Sequence, residues 1–352
     1  MEQTAVEKKF GKYVMASMIT MFLQSAYSMI DGLFVSNLIG DTALSAVNVA
    51  WPIIAVVTAI GTGVGCGGAV MMSTKQGEGK NEESNIVRAN VILALLASSI
   101  VVTILFLVLL TPLLKLMGAE GELLRLSQIY GRVMLTGGVL QILSCGLTPL
   151  LRNDNRAVSA MMIMVGGLFA NLGLDFVFMY VFHMGIGGAA GASLCAQLFT
   201  TVCCLMILCT KKTDPIRLSQ FMIRKEYWKK IFKTAVSPFG ISLTPSLLIL
   251  YHNVACLKFG GDLAVNAYAL ISSTVGSYRV LLIGVAEGIQ PLASYAYGAH
   301  DFHAIRKIRN KAIITAMSVS FFLFIFTIAT ARFYPAIYGY EGEAAELGYH
   351  AV

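Results

Sequence analysis

Four ionisable side chains interrupt stretches that are otherwise apolar: Asp31, Asp175, Arg279 and Glu287. A charge held at membrane depth costs roughly 2.5–3.5 kcal/mol on insertion scales, so such residues are functional candidates first. In QSAYSMIDGLF, Gln24, Tyr27, Ser28 and Asp31 fall on one face of a helix. In FANLGLDFVF, Asn171 stands one helical turn before Asp175. Ser193 and Gln197 repeat that spacing further on. Two carboxyls and an amide offer oxygen ligands to Na⁺. They could equally share a proton, because burial and a like charge both favour the neutral acid. A plainer alternative is that the two acids cap helix ends and reach water.

Glu287, in IGVAEGIQPLASYAYGA, has Arg279 eight residues earlier on about the same face. The two read either as a charge pair or as Glu287 facing a cleft that attracts cations. His252 is a candidate titrating group. The seven cysteines lie in apolar runs with neither metal-site nor disulfide spacing, so they read as small packing residues. GEGK at residues 77–80 lacks the Ser/Thr and strand–helix context of a phosphate loop. GTGVGCGGA reads as a close helix–helix contact.

The elements that position these groups are membrane helices. Of the 352 residues, 57% are apolar and 13% charged, about half the charge of a soluble domain. Val47–Thr74, Val91–Leu114, Val133–Leu151 and Ala312–Ala331 carry no charge at all. A helix needs roughly 20 such residues to cross the hydrocarbon core. Alternating strand segments are absent, so an all-α polytopic membrane protein is expected. Spans are expected near 14–38, 47–74, 88–110, 124–150, 157–182, 186–209, 234–257, 264–297 and 312–333. No cleavable signal is evident in the polar start MEQTAVEKKFGKY. Lys8, Lys9, Lys12, Lys75, Lys80, Arg88, Arg152, Arg156 and the basic segments 211–233 and 306–311 fall on one side. Lys115, Lys258 and Arg332 fall on the other. The positive-inside rule then puts the N-terminus in the cytoplasm of a cell inner membrane. That asymmetry also accounts for the net charge of +7, so no nucleic-acid partner is needed. RKEYWKKIFK is expected to lie on the anionic leaflet as a short amphipathic helix.

The chain also repeats itself at an offset of 221. Gly40-Asp41 matches Gly261-Asp262, Gly63-Val64 matches Gly284-Val285, and Gly67 matches Gly288. Gly77 matches Gly298, Arg88 matches Arg309, and 120–122 match 341–343. On the same offset His252 stands where the first unit has Asp31. A unit holds six helices, an even number, so the second unit enters from the same side and the repeat is parallel. The expected organisation is an N-terminal six-helix lobe (1–210), a basic linker (211–233) and a C-terminal lobe of about three helices (234–352). By the repeat logic, about 90 further residues and three helices would complete the second lobe.

At these residues the sequence resembles the MATE (multidrug and toxic compound extrusion) family. The resemblance rests on YSMIDGLFVSNLIGDTALSAVNVAWP, AVMMSTKQGEGKNEE with its partner QPLASYAYGAHD, NLGLDFVF, and GIGGAAGASLCAQ. It implies a C-terminally truncated two-lobed antiporter, not an enzyme, that exports drugs or organic cations in exchange for H⁺ or Na⁺. It implies cation coupling at Asp31, Asn171, Asp175 and Ser193, with Na⁺, if used, on Asp31, Asn171 and Asp175. Supporting or cleft residues are then Gln24, Tyr27, Tyr130, Gln197, His252 and Glu287. No cofactor beyond the coupling ion is expected. The expected partners are a small organic substrate and the lipid bilayer, and the expected state is a monomer. The rivals are a lipid-linked oligosaccharide flippase, which would want a more basic cleft, and a membrane-embedded enzyme, which would want a catalytic cluster.

Overall fold

The computed structural model describes residues 3–209 and 220–330. Among these, the regular elements are helices and no strand occurs: α1 (Gln3–Ile39), α2 (Asp41–Gly77), α3 (Asn81–Leu116), α4 (Gly121–Thr136), α5 (Gly138–Leu151), α6 (Ala157–Asp175), α7 (Gly185–Cys209), α8 (Lys225–Gly298) and α9 (Phe302–Thr330). Stretches within α1, α2, α3, α7 and α9, and one running from Gly138 to Val181, are long and apolar enough to cross a membrane. Their outer faces are apolar: Val101, Val108, Phe321, Phe322 and Ile328 are all exposed. Lipid, rather than water, is the solvent such surfaces require.

α4 and α5 together make the span expected at 124–150. They break at Gly137, where the backbone leaves helical geometry. Gln141 Nε2 donates to Met134 O at 2.7 Å, satisfying a carbonyl that the break would otherwise strand. The chain then reverses through residues 152–156, with Asn155 at φ 60°, a left-handed conformation that asparagine tolerates. α6 continues past Asp175 through a wider turn over Phe176–Val181, completing the span expected at 157–182.

α8 departs from expectation. Two spans, 234–257 and 264–297, were to be separated by a loop, yet helical bonding runs unbroken over 74 residues. A straight helix of that length would extend about 111 Å, several times the hydrocarbon thickness. The contacts show instead that it doubles back. Ala235 packs on Gly67 while Gly298 packs on Gly77, only ten residues along α2. The rings of His252 and Tyr268 stack with centroids 5.0 Å apart. α8 is therefore two antiparallel arms whose reversal lies where the loop was expected. The segment RKEYWKKIFK is not a separate helix lying on the bilayer. From Lys225 it forms the first turns of α8 and buries Tyr227 and Ile231. Asn90 Oδ1 accepts the Arg224 N–H at 3.0 Å, tying this start to α3. Residues 211–219 of the linker, residues 331–333 of the last span and the repeat matches at 341–343 lie outside the described residues.

The sequence repeat reappears as symmetry of contact. Gly63 meets Phe239, and Gly284 meets Met18; Gly67 meets Ala235, and Gly288 meets Val14. Each partner is displaced by the same 221 residues as the glycines. Gly77 and Gly298, themselves repeat mates, pack on each other. A contact that maps onto its own reciprocal is the signature of a two-fold interface. Here it relates α1–α2 to the two arms of α8. Glycine is required because the backbones approach closely: at Gly67 an added Cβ would sit 2.7 Å from the Ala235 nitrogen.

A core glycine gives a direct test. A Cβ at Gly61 would lie 2.7 Å from Ile142 O across the α2–α5 contact. Gly61→Val is expected to destabilise the protein by about 1–3 kcal/mol through overpacking. Fluorescence-detected size exclusion after heating should show a lowered midpoint.

Candidate cation-coupling site

Four helices converge on the predicted acids. α1 supplies Tyr27 and Asp31, α4 supplies Tyr130, α6 supplies Asn171 and Asp175, and α7 supplies Ser193. The i, i+4 spacing of α6 stacks Asn171 over Asp175, and the amide Nδ2 donates to Asp175 Oδ2 at 3.1 Å. The Tyr27 hydroxyl donates to Asn171 Oδ1, fixing which way the amide faces. Ser193 approaches the same hydroxyl. Asp31 comes within hydrogen-bonding range of Asp175 and of Tyr27. Tyr130 is buried at 5% exposure beside both acids.

Asp175 is wholly enclosed, at 0% exposure, so it does not reach water as a helix cap would. One oxygen of each acid, Asp31 Oδ1 and Asp175 Oδ1, is buried with no protein partner. Two carboxyls in contact in such surroundings either share a proton, so that one is neutral, or hold a cation between two carboxylates. Tyr27 occupies one lone pair of the Asn171 oxygen, leaving its second lone pair, the two unpartnered carboxylate oxygens and the tyrosine and serine hydroxyl oxygens as acceptors at the centre. Among the described residues, no group of three or more His, Cys, Asp and Glu gathers to hold a metal ion.

The remaining candidates make no hydrogen bond to this cluster among the described residues. Gln24 is exposed. Gln197 is half-buried with its Oε1 unpartnered. The side chain of Ser28 lies outside the described residues. His252 is exposed near the α8 reversal, its Nδ1 2.7 Å from Leu248 O. Its repeat relation to Asp31 therefore does not place it in an equivalent buried site. Glu287 does not pair with Arg279. It forms an ion pair with Arg152 at 2.6 Å, because the short α5–α6 reversal carries Arg152 against the second arm of α8.

The basic-loop face holds a second polar cluster that sequence reasoning missed. Arg88, 2% exposed, pairs with Asp154 at 2.5 Å, and Gln76 Nε2 donates to the same carboxylate at 3.1 Å. Ser73 donates to Asn153 Oδ1 at 2.9 Å and Tyr13 to Asn155 Oδ1 at 3.3 Å. Arg88 and Arg152 read as loop cations in the sequence, yet both are buried. The available signal was RNDNR itself, an unusually polar turn between two apolar helices.

The model of the MatE family matches residues 16–177 and 241–352. This chain belongs to the MatE family. Multidrug export protein MepA of Staphylococcus saprophyticus is 24% identical over 320 residues, covering 90% of this chain and 70% of the relative. MepA of Staphylococcus aureus is 24% identical over 335 residues, covering 94% and 72%. Among solved structures, MATE in complex with MaL6 superposes with a TM-score of 0.91 at 25% identity, over 98% of this chain and 77% of that one. A multidrug resistance MATE family transporter of the MOP superfamily, in its outward-facing conformation, gives 0.91 at 25%, over 98% and 76%. The likeness identifies a multi-pass membrane transporter rather than an enzyme.

The buried pair on the basic-loop face carries a stability prediction for this MatE member. Arg88→Met removes the guanidinium partner of enclosed Asp154 and is expected to cost about 3–5 kcal/mol. Adding Asp154→Leu should recover part of that loss. Thermal midpoints of the two variants in detergent check the order.

Proposed function

We propose that this chain is a secondary active antiporter. It exports organic substrates, cations among them, in exchange for H⁺ or Na⁺ by alternating access. The carrying observation is the contact between Asp31 and Asp175, a half-buried and a wholly enclosed acid brought together among four helices, with a buried oxygen of each left unpartnered. Such a pair changes charge when the ion between it arrives or leaves. α1 carries one acid and α6 the other, so the change alters how the two helices pack. The same cluster serves either ion: the two carboxyls can share a proton, or their free oxygens can ligate Na⁺ together with the amide and hydroxyl oxygens around them.

The Lys/Arg asymmetry supports a plasma-membrane protein with its N-terminus and basic loops in the cytoplasm. On that orientation the state in hand is closed inward. The reciprocal glycine contacts, the Gly77–Gly298 approach and the Arg152–Glu287 pair all lie toward the basic-loop ends of α2 and α8. Toward the other ends, Trp51, Leu247 and Tyr251 are exposed. The membrane potential then drives cation entry, with about 2.3 kcal/mol per charge per 100 mV. The curated relatives are named as multidrug exporters, which favours export over oligosaccharide flipping.

In cells made hypersensitive to ethidium, Asp31→Asn and Asp175→Asn are each expected to abolish coupled efflux while the protein remains folded. Unchanged efflux would remove the pair from the mechanism. Proton coupling further predicts that efflux at fixed pH persists when Na⁺ is replaced by choline and collapses with an uncoupler. Dependence on Na⁺ would assign the ion the other way.

A further inference from the structure

Glu287 is the one acid in the second arm of α8 that meets α1–α7 across the symmetric interface. Its repeat mate in the first unit is Cys66, an uncharged residue that is itself buried. Cys66 lies close enough to both Glu287 and Arg152 to feel their charges. The two-fold relation thus brings the mates together near its axis, and only one carries charge. Symmetric packing does not call for this carboxylate. It stands where the opposing faces would separate.

Its present partner is Arg152, at 2.6 Å, with side-chain exposures of 7% for the arginine and 23% for the glutamate. Beside the pair lies a small cavity of about 10 Å³, room for about one water in this closed state, bordered by Ser17, Thr20, Met161 and Met164. The thioethers of Met161 and Met164 are flexible groups that can re-pack if this wall opens. Separating α8 from the α5–α6 reversal would break the ion pair. The carboxylate would then be left without a counterion at the wall of an opening cleft, which is costly. An arriving cation relieves that cost; a neutral or anionic molecule does not.

We propose that Glu287 determines selectivity for cationic substrates, and that Arg152 occupies it as a built-in substitute while the basic-loop side is closed. The assignment rests on the exporter reading and names the residue that recognises its substrate class. Substrate and Arg152 compete for one carboxylate, so substrate release and closure of that side are the same exchange.

Equilibrium binding of radiolabelled tetraphenylphosphonium to the purified 352-residue chain tests this, with tetraphenylborate as the anion of the same shape. Glu287→Gln is expected to weaken tetraphenylphosphonium binding about tenfold or more, as loss of a buried charge partner does. Arg152→Gln removes the competitor and should tighten binding. The exchange R152E/E287R keeps one carboxylate facing one guanidinium and should restore what Glu287→Gln loses. Wild-type affinity in Glu287→Gln, or equal weakening in Glu287→Gln and Arg152→Gln, overturns the assignment and leaves the exporter reading standing. A folded exchange variant that fails to restore binding does the same. Should Glu287→Gln not fold, Arg152→Gln decides: tighter binding supports the assignment, and unchanged or weaker binding overturns it. A wild-type chain that binds no tetraphenylphosphonium overturns both readings.

Discussion

Lipid tolerates a helix backbone that bonds to itself, but it does not tolerate an unbalanced charge. The enclosed acids of this protein are settled accordingly. Asp154 faces Arg88 and Glu287 faces Arg152, each by an ion pair. Asp31 and Asp175 face each other, Tyr27, Tyr130 and the Asn171 amide. The first two acids are balanced by the chain itself. The third pair is balanced only if something positive comes from outside. That difference separates an acid whose charge the folded chain balances in this state from a pair that takes its balance from an outside ion, and it follows from burial and partner identity rather than from residue type.

The symmetry of the fold explains how such a difference can drive movement. The reciprocal glycine contacts join α1 and α2 to the arms of α8 at close backbone approaches, flanked by packed side chains such as Phe10, Val14 and Val285. Glycine seams allow the backbones to come close together. α1 belongs to both systems: Val14 and Met18 pack on the second arm of α8, and Asp31 and Tyr27 sit in the cation-coupling cluster. One helix thus spans the seam and the site. No proline interrupts it, so its response is expected to be a shift or rotation of the whole helix rather than a hinge at a missing backbone bond.

Much of this was legible in sequence because the strongest signals are cumulative. Uncharged runs place the helices, and an ungapped offset of 221 predicts contacts that the structure then shows in reciprocal pairs. The i, i+4 spacings placed Asn171 beside Asp175, where a hydrogen bond now joins them. Less was legible where the outcome depends on which turn approaches which helix. Nothing local in IGVAEGIQP tells that Glu287 meets Arg152 rather than Arg279; the reversal at 152–156 decides it. Arg88 reads as one more cation of a basic loop, yet it is buried, and that burial depends on Asp154, which lies far along the chain. The α8 reversal was anticipated as a loop, and the chain turns there while keeping helical bonding. His252 shows the limit of repeat logic: the offset pairs it with Asp31, but its surroundings are open and aromatic rather than enclosed and acidic.

The most direct measurement is the infrared carboxyl stretch of the protein carrying isotope-labelled aspartate, recorded near neutral pH in the absence of Na⁺. The account predicts a protonated-carboxyl band in the wild-type chain that is displaced or lost in both Asp31→Asn and Asp175→Asn, because one proton belongs to the pair. A wild-type spectrum without that band, or a band indifferent to both substitutions, would mean that the two acids do not hold an ion between them, and the coupling mechanism would have no site.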